Sequence, residues 1–378
     1  MPADNASQGS AARAPRLSLF ELGPANRDHE VAIRCSITVL VPLFVLLAIG
    51  RLDLAVFASF GAFPSIYGRN VSHGARLHMQ LRAGMLMFAT LLGAIAAATL
   101  LASSPAAEGS MAEGTMAEWP MAEWSMAGVI ALVAGITALV TQYWELRPGG
   151  SLFFVFAFGA VASMPTQPPI GEAVVTSIVV ICWSLAMGMS SRLLGRRFWK
   201  PFGWPAGGVF RGDAAAVAYP LVALNVASAA VAGTAALLLS EPWGINHTYW
   251  AQLASVVPLA GHPTRLAVNR GLHRVIGTCG GLVIAALASL AHPPLWALIL
   301  LIALFQGLTE LVIVRSYVLG QLFVTPLALL SIELAMQGAG ADVHAGALLY
   351  DRGLETVIGS AVGIVTVLLP WAVRKVSR

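Results

Sequence analysis

The sequence predicts an all-α polytopic membrane protein, about twelve transmembrane helices written as two parallel six-helix repeats. Three observations predict it. Hydrophobic residues fill 57% of the 378 positions and charged residues only 11%, with a mean hydropathy of +0.77, whereas soluble domains carry charge at about a quarter of their positions. Apolar runs recur at lengths that suit a bilayer core, which takes about 20 residues per helix. One pattern also occurs twice. Arg82, Thr90 and Gly93 in RAGMLMFATLLG repeat the spacing of Arg270, Thr278 and Gly281, and Pro64 ends its apolar run as Pro258 does, the mark of an internal membrane repeat.

Taken in order, residues 1–30 are polar, rich in Ala, Ser and Pro, and lack an apolar core followed by a small-residue cleavage site. They are expected to form a flexible cytoplasmic tail rather than a secretory signal. Six spans follow near 31–50, 52–68, 83–103, 126–144, 151–166 and 172–192, making a first membrane half over 31–192. A second half over 216–373 holds spans near 216–240, 246–261, 274–291, 294–312, 315–334 and 353–373. The second, fifth and eighth spans are short, and each contains a proline, Pro64, Pro165 or Pro258.

Twelve spans place both termini in the cytoplasm and leave only Arg51 and Arg352, of 22 Lys and Arg residues, on the outside. That asymmetry is the positive-inside pattern, and deleting any one span would scatter the later arginines. The expected location is therefore the cell membrane, multi-pass, with a short cytoplasmic tail over 374–378.

The external loop after the third span holds four pentads, AEGSM, AEGTM, AEWPM and AEWSM, from Ala107 to Met126. Arg82 and Arg270 lie 188 positions apart but Arg147 and Arg315 only 168, and the twenty pentad residues account for the difference. The array reads as a tandem expansion tolerated in a loop. Between the halves, the linker over 193–215 alternates basic residues with Phe198, Trp199, Phe202 and Trp204, which suits the anionic cytoplasmic headgroup region. Six spans per half put both halves in the same orientation, related by a pseudo-twofold axis along the membrane normal.

Charged residues within spans call for an explanation, because the bilayer centre penalises them by a few kcal/mol. Arg270 and Arg274 are one helical turn apart and can form a fork that holds a carboxylate; headgroup anchoring is the competing reading. Glu310 and Arg315 either neutralise each other on a hairpin or form a gate. Arg352 and Glu355 can pair at i, i+3, and Glu355, the deeper of the two, suits a titrating coupling carboxylate. Pro64, Pro258 and Thr325-Pro326 break helices, and such breaks are tolerated where protein or water satisfies the freed backbone. Gly277 to Gly281 and Gly359 to Gly363 have GxxxG spacing, read as helix packing.

YWAQLASVVP, RGLHRVIGTCGGL, TELVIVRSYVLGQLFVTPLALL and DRGLETVIGSAVGIV resemble, in order and spacing, the second membrane half of the fusaric acid resistance family, which also takes in aromatic acid exporters. The resemblance covers roughly 246–370 and reaches 31–192 only as a weaker copy. It implies export of aromatic or other organic carboxylates, often with a membrane fusion partner. Larger members carry a soluble cytoplasmic domain absent from this sequence, so a periplasm-spanning partner assembly is not expected.

The reading that follows is a secondary transporter exporting small organic anions across the lipid bilayer. The alternatives are a passive organic-anion channel or a non-transporting scaffold subunit. Arg82, Arg270, Arg274, Tyr249, Trp250 and Thr325 are the candidate substrate-binding residues. Glu310, Arg315, Arg352, Glu355, Pro64 and Pro258 are the candidates for coupling and gating. An enzyme is not expected, since GxxxxGK[ST], HExxH and GxSxG are all missing. Cys35, Cys182 and Cys279 lie in apolar runs without metal-ligand spacing, so no metal, cofactor or disulfide is expected. Basic residues cluster at the ends of apolar runs, which argues against nucleic acid as a partner; homo-oligomerisation stays open.

Overall fold

A computed structural model describes residues 28–69, 71–102, 121–164, 166–194, 212–245, 247–260, 264–340 and 344–376. The described residues are helical and contain no strand. The first half supplies α1 (Asp28–Ala48), α2 (Ala55–Ala62), α3 (His73–Ala102), α4 (Met121–Tyr143), α5 (Leu152–Ala162) and α6 (Ile170–Leu194). The second supplies α7 (Gly212–Trp243), α8 (Tyr249–Ser255), α9 (Thr264–Leu290), α10 (Leu295–Val312), α11 (Tyr317–Gly338) and α12 (Ala345–Val376).

Nine of these helices are long and apolar enough to cross a bilayer: all but α2, α5 and α8. Their outward faces are apolar, with Ile33, Ile37, Val41 and Val45 exposed along α1 and Val283, Leu287 and Leu290 along α9. Such faces suit lipid and not water, and the chain is a multi-pass membrane protein.

The remaining three helices occupy the segments expected to be the short second, fifth and eighth spans, so the described structure has nine full-length helices where the sequence suggested twelve spans. The reason is local. Pro64 and Pro258 each fall in a 3₁₀ turn, over Phe63–Ile66 and Val257–Leu259, that ends a short helix. α5 opens after the Pro148-Gly149-Gly150 turn, where Gly150 adopts φ +93°, a conformation that disfavours a side chain. All of α8, all but one residue of α2 and seven of the eleven residues of α5 are buried. Sunk in protein, they need not span lipid.

Several boundaries differ from expectation. Met121–Met126, read as external loop, opens α4. α12 begins at Ala345, so Asp351, Arg352 and Glu355 lie well inside a helix instead of opening one, at 0%, 1% and 0% exposure. The remaining pentads, the N-terminal tail up to residue 27, Pro165 and the linker core over 195–211 lie outside the described residues.

Packing comes in matched pairs. α1 packs on α10 while α4 packs on α7; α3 packs on α5 and α6 while α9 packs on α11 and α12; α2 packs on α6 while α8 packs on α12; and α5 meets α8 while α2 meets α11. Glycines make several of these contacts close. A Cβ at Gly307 of α10 would collide with Ser36 of α1, and one at Gly135 of α4 with Val226 of α7. Gly277 and Gly281 seat α9 against Gln321 and Thr325 of α11, and Gly359 and Gly363 seat α12 against Ala251, Ala254 and Pro258, the close approach that small residues permit in membranes.

Candidate functional site

The three short segments leave room at the centre of the bundle. They border a cavity of about 490 Å³ that also takes lining residues from α1, α9, α10, α11 and α12. One wall is aromatic. Phe60 and Phe63 of the first broken segment meet Phe156 and Phe153 of α5 at centroid distances of 5.1 and 5.2 Å, while Leu253 and Val257 extend the apolar lining. The lining is also cationic: Arg69, Arg147, Arg270, Arg274 and Arg352 all border the cavity, and Glu310 is the single carboxylate among its lining residues.

Glu310 is already engaged. It accepts from Arg69 at its carboxylate, its backbone carbonyl accepts from Arg69 Nη2 at 3.0 Å, and Gln306 donates to Oε1 at 3.2 Å. Arg69 Nη1 also lies 3.6 Å from Asp28. Glu310 therefore pairs across the halves with Arg69, the residue five positions after Pro64, rather than with Arg315 on its own hairpin. Arg315 lies outside the cavity lining.

Arg274 and Arg352, from α9 and α12, are 2% and 1% exposed. Arg274 Nε and Arg352 Nε and Nη1 are buried without a hydrogen-bond partner. Four further polar atoms of lining residues share that condition: Arg69 Nη1, Thr309 Oγ1, Tyr317 Oη and Gln321 Oε1. Arg270, one turn from Arg274, lies over the Tyr317 ring at 5.0 Å, a cation–π contact.

The other sequence-predicted residues lie around this cavity and do not line it. Arg82 Nη1 donates to the Trp144 carbonyl at 3.1 Å, at the end of α4. Tyr249 fills the space over Gly159, joining α8 to α5. Thr325 donates back to the Gln321 carbonyl at 2.9 Å and fills the space beside Gly281. Trp250 supports the site from behind, with Arg352 5.3 Å from its ring centroid and His247 stacked at 5.1 Å. His247 Nδ1 bonds Asp351 Oδ2 at 2.7 Å. Glu355 does not bond Arg352: neither of its oxygens has a side-chain hydrogen-bond partner.

Residues 230–366 match the family model described as fusaric acid resistance protein-like. That segment contains α8–α11 whole, the second part of α7, most of α12, and Arg270, Arg274, Glu310 and Arg352. The chain is also 29% identical over 137 residues to an uncharacterized membrane protein, YvaC, of Bacillus subtilis (strain 168). The match covers 36% of this chain and 21% of that protein. No solved structure matches the chain.

Sequence reasoning missed Arg69, Arg147 and the aromatic wall. The signal for the wall was present: Phe60/Phe63 and Phe153/Phe156 are both i, i+3 aromatic pairs inside the short segments. Arg69 carried no comparable signal, since its partner lies 241 residues away.

Proposed function

We propose that this chain is a secondary transporter of small organic anions, and that the central cavity is where the anion binds. Arg274 and Arg352 carry the proposal. A buried donor left without a partner costs about 1–3 kcal/mol, more when it is charged, and a fold that holds two buried guanidinium groups beside a cavity, with N–H donors unused, has placed them for a ligand that supplies acceptors and negative charge. The aromatic wall adds a face for an apolar or aromatic body, and the volume falls in the range of small-molecule sites. Aromatic and other organic carboxylates match this combination, and the fusaric acid resistance-like segment supports export as the direction.

The same reading takes the short segments as broken spans, giving twelve crossings in two parallel six-helix halves of a cell-membrane protein with both termini in the cytoplasm. The matched packing pairs support the repeat: Ala32 and Ser36 of α1 meet Gly307 as Val222 and Val226 of α7 meet Gly135, with the same i, i+4 spacing on each side.

Efflux of a panel of labelled aromatic acids, from cells with and without the gene, tests the function. Faster efflux of at least one acid, reduced by Arg352→Gln at equal protein level, is the expected result. Identical efflux of every acid in both strains would leave the scaffold reading in its place.

A further inference from the structure

Arg352 has a carboxylate of its own within reach, and the two are not joined. Glu355 follows Arg352 by three residues on α12, is 0% exposed, and has no side-chain hydrogen-bond partner on either oxygen. It faces the backbone N–H groups of Trp250 and Ala251 at the start of α8. The charged and titratable groups around the pair are few. Its own helix contributes Asp351, which is tied to His247 at 2.7 Å; α8 contributes Tyr249, α9 contributes Arg274 and α11 contributes Tyr317. Arg352 reaches the cavity and Glu355 does not.

We infer that Glu355 is a proton-binding site linked to the anion site, so that the cavity takes up one proton with each anion. This rests on the proposed function. With the cavity empty, the charges of Arg352 and Glu355 balance through space inside the protein. An anion that binds Arg352 takes over that balance, and two negative groups cannot share one buried guanidinium cheaply, because neither is hydrated. Glu355 then takes up a proton, which adds to the carboxylate oxygen and leaves a neutral acid behind Arg352. Linkage is reciprocal: if the anion favours the proton, the proton favours the anion. The sign is therefore cooperative, and the cargo moves as anion plus proton. A proton gradient directed inward pulls that pair inward, so export runs on the accumulated substrate's own gradient.

The test uses the full chain in lipid nanodiscs with benzoate, salicylate and phthalate as probes. Calorimetric titration is run between about pH 5.5 and 8.5, above the ordinary carboxyl range, in two buffers of different ionisation enthalpy, which counts protons. The expected result is uptake of about one proton per anion bound, with affinity falling as pH rises by up to about tenfold per unit. Glu355→Gln should bind at the wild-type low-pH affinity throughout and take up no proton, and Glu355→Asp should restore the uptake. Wild-type binding with no proton uptake overturns the inference without touching the anion site, and needs no variant to be folded. Uptake that survives Glu355→Gln but vanishes in His247→Gln overturns it in favour of the His247–Asp351 pair. No binding of any probe at any pH removes the anion site itself, and the inference with it.

Discussion

Arginines at the end of a membrane helix and arginines inside one look alike in sequence, and here their surroundings separate them. Arg82 gives a hydrogen bond to the end of α4, a role that a lysine can fill. Arg270, Arg274 and Arg352 line the cavity, where the planar guanidinium offers paired donors that an ammonium does not. Arg270→Lys should therefore slow transport of a carboxylate while leaving membrane insertion intact, whereas Arg82→Lys and a control at the terminal Arg378 should transport as wild type. For Arg274→Gln or Arg352→Gln, losing a charge-assisted hydrogen bond worth about 1.5–3 kcal/mol predicts an apparent substrate affinity weaker by roughly ten- to a hundredfold. Transport kinetics at matched protein levels check all five variants.

The short helix α8 owes its place to glycines on α12. A Cβ at Gly359 would stand 2.7 Å from the Ala254 Cβ and still closer to the Ala251 carbonyl, so any side chain there pushes α12 off α8. Overpacking of this kind costs about 1–3 kcal/mol. Gly359→Leu should lower the thermal midpoint of the purified protein, and Gly346→Leu, on the same helix with open space around it, should not. Because α12 carries both Arg352 and Glu355, the milder Gly359→Ala should also weaken anion binding in folded protein, which calorimetry reads separately from stability.

For the whole molecule, the issue is how the halves meet. Arg69 and Glu310 join them through one buried ion pair. Reversing one member leaves two like charges in that space, so Arg69→Glu or Glu310→Arg alone should reduce folded protein, and the double reversal should recover part of it, measured as monodisperse yield after extraction. The helix pairs make a second prediction. Ser36→Cys with Gly307→Cys, and Gly135→Cys with Val226→Cys, should each form a cross-link under mild oxidation in a background lacking Cys35, Cys182 and Cys279, whereas Ser36→Cys with Gly135→Cys should not. External cysteine reagents should label a cysteine at Ser110 and spare one at Gly207.

Composition and periodicity alone determined that this is a helical membrane protein and where its long helices run, because lipid demands a long apolar stretch for each crossing and that demand is written locally. The shared spacing was equally legible, since Arg82 and Arg270 stand at the same distances from a Thr and a Gly in the chain itself. Arg270, Arg274, Glu310 and Arg352 could be singled out for the same reason, as charges in apolar sequence. Which of them face a common space was decided by tertiary structure. Glu310 has Arg315 five residues away yet pairs with Arg69, because α10 packs on α1 and brings the loop after the first broken helix to it. Arg352 and Glu355 have the spacing of an i, i+3 pair, but α12 turns the carboxylate toward the start of α8 and the guanidinium toward the cavity. Sequence spacing states which groups can meet along one helix; which of them do meet depends on the neighbours packed against it, and those come from distant parts of the chain.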